Sequence, residues 1–483
     1  MVRDIWRRRR TELLLALVVL AFTAPLGGRG GGNEPPRLAL AASLVERGTV
    51  EITPYQPILG VDFAIRDGRY YSDKAPGTSV LFAPVYAAVT ALTDLDLLET
   101  PDEIKFVAKL TMSSIPAAIL AGLIAATLMD RSRRLGVWTA TMIVAGTMLL
   151  PFGTVFFGHE MAALLGFSAY LLARSESPRR IAVAGLVASV AVAVEYPMGI
   201  VALALLVYVA VRSRPLALFF VAGAVPVAVA LLAYHAAAFG NPLHTPYRYA
   251  FALQEGFSGI GASWPDPSDI VVSLVGERGM FVMTPVVLAA SAGFFVLRDV
   301  SLPRSERWLL VSVVAGLSLV PSMWVDEAAG PTGGWSPGPR FATPAMPFLA
   351  MPLFAALRRR PWWVSAAGTV SIGAMVLATI TDPLAPHDGV SGAAIGHWLS
   401  SAADTAFRYN LLVDGFGTLG LLLQGAVLGA LGWRLLVSMR APEAASATDD
   451  AVRAQAAWSW LFVFGIVMLI AGLVTLAVAA SLD

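Results

Sequence analysis

Residues 7–26 read RRRRTELLLALVVLAFTAPL, in which four arginines are followed by a long apolar run. A basic stretch before such a run occurs both in secretory signal peptides and in the first anchor of membrane proteins. We favour the anchor, because no small-x-small cleavage site stands out before the glycine-rich residues 27–32. The stretch then predicts a cytoplasmic N-terminus and a first span at about 12–27.

The composition extends this interpretation to the whole chain. Of the 483 residues, 57% are hydrophobic and 14% are charged, and the mean hydropathy is +0.70. Repeated apolar runs, rather than one soluble core, account for such values. We therefore predict an all-α polytopic membrane protein, with a single transmembrane domain over residues 1–483 and membrane lipids around it.

Charge and cysteine content exclude several functions. The net charge is +1, and no basic stripe with interleaved aromatic residues indicates a nucleic-acid partner. The chain has no cysteine, which excludes disulfides, thiolate catalysis and cysteine-ligated metals.

The positions of Lys and Arg predict how the chain crosses the membrane, because these residues concentrate in short cytoplasmic loops. Threading every apolar run by this rule gives about thirteen spans in the plasma (inner) membrane. The spans are at about 12–27, 104–129, 136–153, 160–173, 181–194, 197–211, 216–238, 279–297, 308–323, a tenth ending at Arg358, an eleventh ending near Ile380, 412–433 and 457–479. The longer external loops are at about 28–103, 239–278, 324–340 and 381–411.

Two apolar stretches in the first external loop are left without a span. Residues 78–93 are apolar enough to cross, but a span there would put Arg131, Arg133 and Arg134 outside. We interpret 78–93 as a juxtamembrane or re-entrant helix. Residues 38–45 are predicted to lie along the external surface as an amphipathic element.

Unusual polar residues gather outside the predicted spans. An ion-coupled transporter usually keeps charges or broken helices near the membrane midplane, whereas here ionisable residues are nearly absent from the spans. The distribution favours an enzyme at the outer face. Four external segments stand out, namely residues 33–37, 62–77, 158–160 and 333–340.

The first two segments combine acids with cations. Glu34, with Arg37 next to it, could act as a general base toward an acceptor hydroxyl, and a solvated turn is the alternative. Asp73 and Lys74 precede the turn-forming residues 75–77, which free Lys74 to point at a phosphate. Asp73 could hold the ammonium or take part in proton transfer. For Asp62, a catalytic acid and a solvated loop residue are both open.

Aromatic and other polar side chains supply further candidates. Tyr70 and Tyr71 have amphipathic rings suited to a sugar face or to the headgroup level of the membrane. His159 and Glu160 could bind a metal or an acceptor, or only cap a helix, and two residues are a weak metal signal. Arg340 ends a Gly/Pro-rich turn that also contains Trp335, and its guanidinium matches a phosphate. The alternative for Arg340 is an arginine that snorkels to lipid headgroups.

Taken together, these features resemble the GT-C superfamily of integral-membrane glycosyltransferases, particularly the branch of the protein O-mannosyltransferases and the lipid A aminoarabinose transferase. In that branch, the first external loop begins with an acidic pair before an arginine and later carries an acid-Lys-Pro-Pro element. NEPPR at 33–37 and DKAP at 73–76 look like these elements, and GPRFATP at 338–344 resembles a late motif of bacterial members. Two departures are Asn33 at the position of the usual catalytic Asp, and Ala75 in place of a Pro.

The resemblance implies transfer of a sugar from a polyprenyl-phosphate donor to an extracytoplasmic glycan, lipid or protein hydroxyl, with inversion. The topology supports such a donor, because cytosolic nucleotide sugars do not reach the outer face. We expect Lys74, Arg340 and Arg37 to hold the donor phosphate. Substrate-binding residues are expected to be Tyr70, Tyr71, His159, Glu160 and Trp335.

The catalytic base and the metal requirement are left open. Asn33 cannot serve as a base, so Glu34 must substitute for it, or the acid must come from Asp62 or Asp73. Some members of the superfamily need a divalent metal such as Mg or Mn, and others do not.

Two other functions are compatible with the sequence. In a lipid-linked glycan flippase or exporter, the charged loops would guide a headgroup rather than react with it. A non-catalytic homologue that acts in a cell-envelope assembly complex would explain Asn33.

Overall fold

The computed structural model describes residues 10–27, 30–251, 264–323, 330–384 and 394–439. Arginines 7–9, the predicted span at 457–479 and parts of the three later external loops lie outside the described residues. The described chain is mostly helical, as predicted. Its α-helices are Arg10–Thr23, Glu34–Ala42, Gly77–Leu92, Pro101–Lys109, Ile115–Met129, Arg133–Ala145, Leu149–Phe152, His159–Ala173, Pro178–Val194, Gly199–Arg212, Arg214–Phe239, Pro267–Val275, Met280–Met283, Pro285–Gly293, Arg304–Leu319, Ala350–Arg359, Pro361–Thr381, Ala394–Thr405, Leu411–Phe416 and Thr418–Met439.

Short π- and 3-10 segments join or extend several of these helices. The π segments are Ser43–Arg47 and Leu110–Ser114, and the 3-10 segments are Thr53–Ile58, Tyr196–Met198, Pro246–Tyr249, Phe294–Val300, Val320–Met323 and Arg340–Leu349. In the last of these, Pro344 and Pro347 cannot donate backbone hydrogen bonds, which disfavours a regular α-helix there.

Among the described residues, six helices are long and apolar enough to cross a membrane. They are Pro101–Met129, Arg214–Phe239, Arg304–Met323, Arg340–Arg359, Pro361–Thr381 and Thr418–Met439. The helices Pro267–Met283 and Pro285–Val300 meet at a 97° bend and add a seventh span if they cross together. The predicted spans at 12–27, 136–153, 160–173, 181–194 and 197–211 coincide with helices shorter than 18 residues. The count of thirteen therefore stays a prediction.

One buried charge ties the first helix to the bundle. Lys109 lies inside the Pro101–Met129 helix and is 2% exposed, and its ammonium donates to the carbonyl oxygens of Ala24 (2.6 Å) and Thr23 (3.4 Å). These carbonyls belong to the C-terminal end of the Arg10–Thr23 helix, where a cation is favoured. Lys109 thus stabilises the point at which the chain leaves the first helix for the segment around residue 33.

The segment predicted as the first external loop folds as a compact layer with a hydrophobic core of its own. Side chains from residues 38–63, 82–112 and Phe156 form this core, apart from the larger core of the helix bundle. The predicted helix at 78–93 is present as Gly77–Leu92. The amphipathic surface element predicted at 38–45 is wrong: the Glu34–Ala42 helix is buried on all sides, because small alanines at 39, 41 and 42 allow close packing around it.

A β-hairpin, which the sequence analysis did not predict, organises the middle of this layer. Strands Ala64–Arg66 and Arg69–Tyr71 pair antiparallel, with Ala64 opposite Tyr71. Asp67 and Gly68 form the two-residue turn, with φ values of 52° and 74°, as such hairpins require. The register continues outward, so the residues just before the first strand meet those just after the second.

Residues 238–251, at the start of the predicted second long external loop, are hydrogen-bonded to this hairpin. Ala250 forms a bridge to Ala64, and the Phe251 N–H donates to the Phe63 carbonyl at 2.7 Å. The Arg66 guanidinium donates to the Ala238 carbonyl at 3.3 Å, at the end of the Arg214–Phe239 helix. Residues 238–251 are therefore held against the segment that leads to Asp73 and Lys74.

Gly77 gives a test of this packing. A Cβ atom at Gly77 would lie 2.5 Å from the Ala193 carbonyl carbon and 2.5 Å from the Val194 nitrogen, so Gly77→Ala must push the helix away from its neighbour. We expect a loss of about 1–3 kcal/mol in stability, measured as a lowered melting temperature of the purified protein. The matched control is Gly199→Ala, where nothing lies within 4 Å of the added atom. Equal melting temperatures for the two variants would contradict the packing.

Candidate functional site

The hairpin brings Lys74 together with two carboxylates. The Lys74 ammonium lies 2.6 Å from Asp73 Oδ2 and 3.3 Å from Asp62 Oδ2. Asp62 precedes the first strand and Asp73 follows the second, so the antiparallel register places them opposite each other. The ammonium donates a hydrogen bond to Asp73, and its contact with Asp62 is an ion pair.

A second ion pair lies beside this triad. Arg37, on the Glu34–Ala42 helix, donates to Glu195 Oε1 at 3.3 Å and to the carbonyl oxygen of Asn33 at 2.9 Å. His159 Nδ1 is 3.6 Å from the same Glu195 oxygen, which is too long for a hydrogen bond. All of these side chains except Asn33 are at least nine-tenths buried.

Arg340 is the third cation of the site and has a different environment. Its Cζ lies 5.7 Å from the centre of the Phe157 ring and 5.3 Å from that of Phe341, within the range of a cation–π contact. Arg37 lies 5.9 Å from the same Phe157 ring. In the described part of the chain, no carboxylate lies within ion-pair distance of Arg340. It is therefore available to an anionic ligand, whereas Lys74 and Arg37 are already paired.

The charges of the site act on one another. Burial raises the pKa of Asp73, and the charge of Asp62 adds to this rise while Lys74 opposes it. Burial also raises the pKa of Glu195, and Arg37, Arg340 and Lys74 act in the opposite direction. The charges of this site therefore act on one another although they come from segments that are far apart in sequence. The three cations are Lys74, Arg37 and Arg340, and the three carboxylates are Asp62, Asp73 and Glu195.

Glu34 is buried, which excludes the alternative of a solvated turn. It is 3% exposed, and its Oε1 accepts a hydrogen bond from the Phe156 N–H at 2.8 Å. Burial raises its pKa, and the charges of Lys105 and Arg37 oppose this rise. Through this hydrogen bond, Glu34 links the layer formed by residues 38–63 and 82–112 to the segment before His159.

The other predicted site residues lie apart from the charges. Tyr71 packs against Phe239, with ring centres 5.8 Å apart, and Tyr70 packs against Phe63 at 4.9 Å. Glu160 is completely buried, and neither of its carboxyl oxygens has a hydrogen-bond partner. Trp335 is 38% exposed on the loop before Arg340. Their roles in substrate binding stay predictions.

The residues present do not fit a divalent metal. Within the described ranges, no group of three or more His, Asp or Glu side chains is placed to hold a metal ion. Between Asp62 and Asp73, the Lys74 ammonium occupies the position that a cation bridging the two carboxylates would take. We therefore assign no role to Mg or Mn at this site.

The sequence carries only a weak signal for two residues that contact the cations of the site. Glu195 was recognisable only as an acid in a short turn between two spans, yet it pairs with Arg37. Phe157 lies near both guanidinium groups but looks in the sequence like any other apolar residue. The Asp-Gly pair at 67–68, a strong hairpin signal, could have placed Asp62 beside Asp73.

Comparison with models of protein families gives no match for this chain, and comparison with curated proteins gives none either.

Glu34→Gln separates a structural role of Glu34 from a catalytic one. An amide oxygen can still accept from the Phe156 N–H, so we expect stability within about 1 kcal/mol of wild type, whereas Glu34→Ala should cost about 1–3 kcal/mol. Because the pKa of Glu34 is raised above its ordinary 4.5, the folded protein binds this proton more tightly than the unfolded chain does. Stability from this group falls as pH rises from 4.5 through the raised pKa, and Glu34→Gln should flatten that part of the profile.

Melting temperatures over a pH series measure both effects. A Glu34→Gln protein of normal stability that has lost all sugar transfer would instead identify Glu34 as the base.

Proposed function

We propose that the protein is a membrane glycosyltransferase that moves a sugar from a polyprenyl-phosphate donor to an acceptor hydroxyl on the extracytoplasmic face. The observation that carries this proposal is Arg340. Among the described residues, no carboxylate lies within ion-pair distance of Arg340, and Arg340 lies beside the Asp62–Lys74–Asp73 triad, so one site offers both an anion-binding group and candidate bases. The long apolar helices provide the membrane surface along which a lipid tail would lie.

The donor phosphate is held by Arg340, with the Lys74 ammonium as a second contact. As the sugar leaves, negative charge grows on the phosphate, and fixed cations stabilise it more in the transition state than in the ground state. Arg37 is paired with Glu195, so it does not bind the phosphate directly. Its positive charge stabilises the phosphate from a longer distance.

Asp62 is the best placed of the three candidate bases. Its side chain is 21% exposed, compared with 10% for Asp73, and Glu34 is bound to Phe156. The acceptor hydroxyl gives its proton to Asp62, and its oxygen forms a bond to the anomeric carbon of the sugar. The bond from that carbon to the phosphate oxygen breaks, and its electron pair stays on the phosphate. In-line displacement gives a glycoside with inverted configuration and a free polyprenyl phosphate.

One observation favours the flippase as a second candidate. The bend of 97° between Pro267–Met283 and Pro285–Val300 is a broken apolar segment of the kind found in transporters. Arg278, close to the break, donates to the Ser336 carbonyl at 3.3 Å, in the loop that leads to Arg340. Translocation of a lipid-linked sugar in proteoliposomes, without transfer to any acceptor, would support this function over the enzyme.

Asp62→Asn tests the assignment of the base. Loss of a general base lowers the rate by about 10²–10⁴-fold, and we expect a fall of this size in the transfer of radiolabelled sugar from polyprenyl-phosphate donors to a membrane extract. Asp67→Asn, in the turn of the same hairpin and 80% exposed, is the matched control and should retain activity. Full activity of Asp62→Asn alongside an inactive Asp73→Asn would transfer the role to Asp73.

Arg340→Gln tests the phosphate contact. Removing a charged hydrogen-bond donor costs about ten- to a hundredfold in affinity, so binding of farnesyl phosphate to the purified protein should weaken by this factor. Arg340→Lys should restore only part of it, because an ammonium lacks the planar fork of the guanidinium. Arg69→Gln, whose side chain is 65% exposed, serves as the control. Unchanged binding in Arg340→Gln would contradict the assignment.

A further inference from the structure

Aromatic residues border the charged site on one side. Tyr196 follows Glu195 directly in the chain, and its ring centre is 5.9 Å from that of Tyr247, with the two rings at 77° to each other. Both side chains are partly exposed. An aromatic surface thus begins next to the carboxylate that pairs with Arg37.

Hydrogen bonds fix the position of this surface. The Tyr196 hydroxyl is 2.8 Å from His235 Nε2, and His235 Nδ1 is 3.2 Å from the Pro242 carbonyl oxygen. Since a carbonyl oxygen only accepts, Nδ1 carries the proton, and Nε2 accepts from the tyrosine. The ring of Tyr196 is therefore held in place before any ligand arrives.

Two buried polar atoms without hydrogen-bond partners lie beside these rings, Asp73 Oδ1 and the Tyr234 hydroxyl. Tyr234 and Tyr71 both pack against Phe239, at 6.3 Å and 5.8 Å, which places Tyr234 near the strand that leads to Asp73. The rings of Tyr234 and Tyr196 each lie 5.8 Å from the ring of His235, which places Tyr234 beside Tyr196. Both atoms are thus placed to bond hydroxyl groups of a ligand.

We propose that Tyr196 and Tyr247 form a platform for the sugar ring of the donor, and that Asp73 and Tyr234 bond the hydroxyls of that ring. A sugar has apolar C–H faces and a polar edge, which match aromatic rings bordered by a carboxylate and a phenol. The inference rests on the proposed function. Tyr196 follows Glu195, whose partner Arg37 lies near the same Phe157 ring as Arg340, so a sugar on these rings lies on the side of the site where Arg340 holds the phosphate. The occupant is therefore the donor sugar rather than an acceptor.

Binding measurements on the full-length protein in nanodiscs test the platform. The probes are farnesyl phosphate and farnesyl phosphates that carry mannose, glucose, galactose or arabinose, titrated by calorimetry. The readout is the affinity ratio between the tightest sugar-bearing lipid and farnesyl phosphate. We expect Tyr247→Ala to lower this ratio by about three- to tenfold and to leave farnesyl phosphate binding within twofold.

Three further variants make the result specific. Tyr247→Phe keeps the ring and should keep most of the ratio. Tyr234→Phe removes a hydroxyl that has no partner, so it should fold normally and still lower the ratio. Leu243→Ala is the matched control in the same loop, because Leu243 is 79% exposed, and it should leave the ratio unchanged.

Several outcomes would overturn the platform. One is an unchanged affinity ratio in both Tyr247→Ala and Tyr234→Phe. Another is an equal loss of affinity for farnesyl phosphate and for the sugar-bearing lipids. A raised KM for a soluble glycan acceptor with an unchanged ratio would assign the rings to the acceptor instead. If wild type binds none of the lipids, or binds them equally well after Arg340→Gln, the proposed function fails and the platform with it.

Discussion

The pairing of Lys74 with Asp62 and Asp73 is the interaction on which the rest of the site depends. A charge this far removed from water is tolerated only when it is paired, and removing one partner of such a group typically costs about 3–5 kcal/mol. The hairpin supplies the pairing, because its register brings the residue before one strand to the residues after the other. Gly77 and residues 238–251 then hold the hairpin against the helix bundle.

The division of labour among the cations follows from this arrangement. Lys74 and Arg37 each have carboxylate partners and keep the acids in place, whereas Arg340 contacts aromatic rings and retains its capacity for an anion. The site balances three cations with three carboxylates, so its proposed affinity for a phosphate depends on where the charges lie and not on their sum. No described carboxylate lies within ion-pair distance of Arg340, while the Asp62–Lys74–Asp73 triad keeps candidate bases beside it.

The sequence predicted the helical class and the apolar helices at about 104–129, 216–238, 308–323 and 412–433, whereas the role of residues 73–74 stays a prediction. It left Glu34 open between a base and a solvated turn, because position after a span says nothing about the hydrogen bond from the Phe156 N–H. It missed the hairpin because a membrane composition directs attention to helices, although Asp67-Gly68 carries the turn signal. Glu195 and Phe157 could not be assigned, since their roles arise from contacts over more than a hundred residues of sequence. The role of Lys109 could not be predicted, because its hydrogen bonds to the carbonyl oxygens of Thr23 and Ala24 join segments far apart in sequence.

Arg340 is proposed to lie in a phosphate-binding site that is open to the extracytoplasmic side. Cysteine labelling tests it most directly, because the chain has no cysteine of its own and Trp335, 38% exposed, lies five residues before Arg340. The measurement is the labelling of Trp335→Cys by a membrane-impermeant maleimide in right-side-out vesicles, with and without farnesyl phosphate mannose. We expect labelling from outside, slowed by the lipid, with the slowing abolished by a second substitution, Arg340→Gln. Labelling only after the vesicles are permeabilised, or a rate that the lipid leaves unchanged, would contradict it.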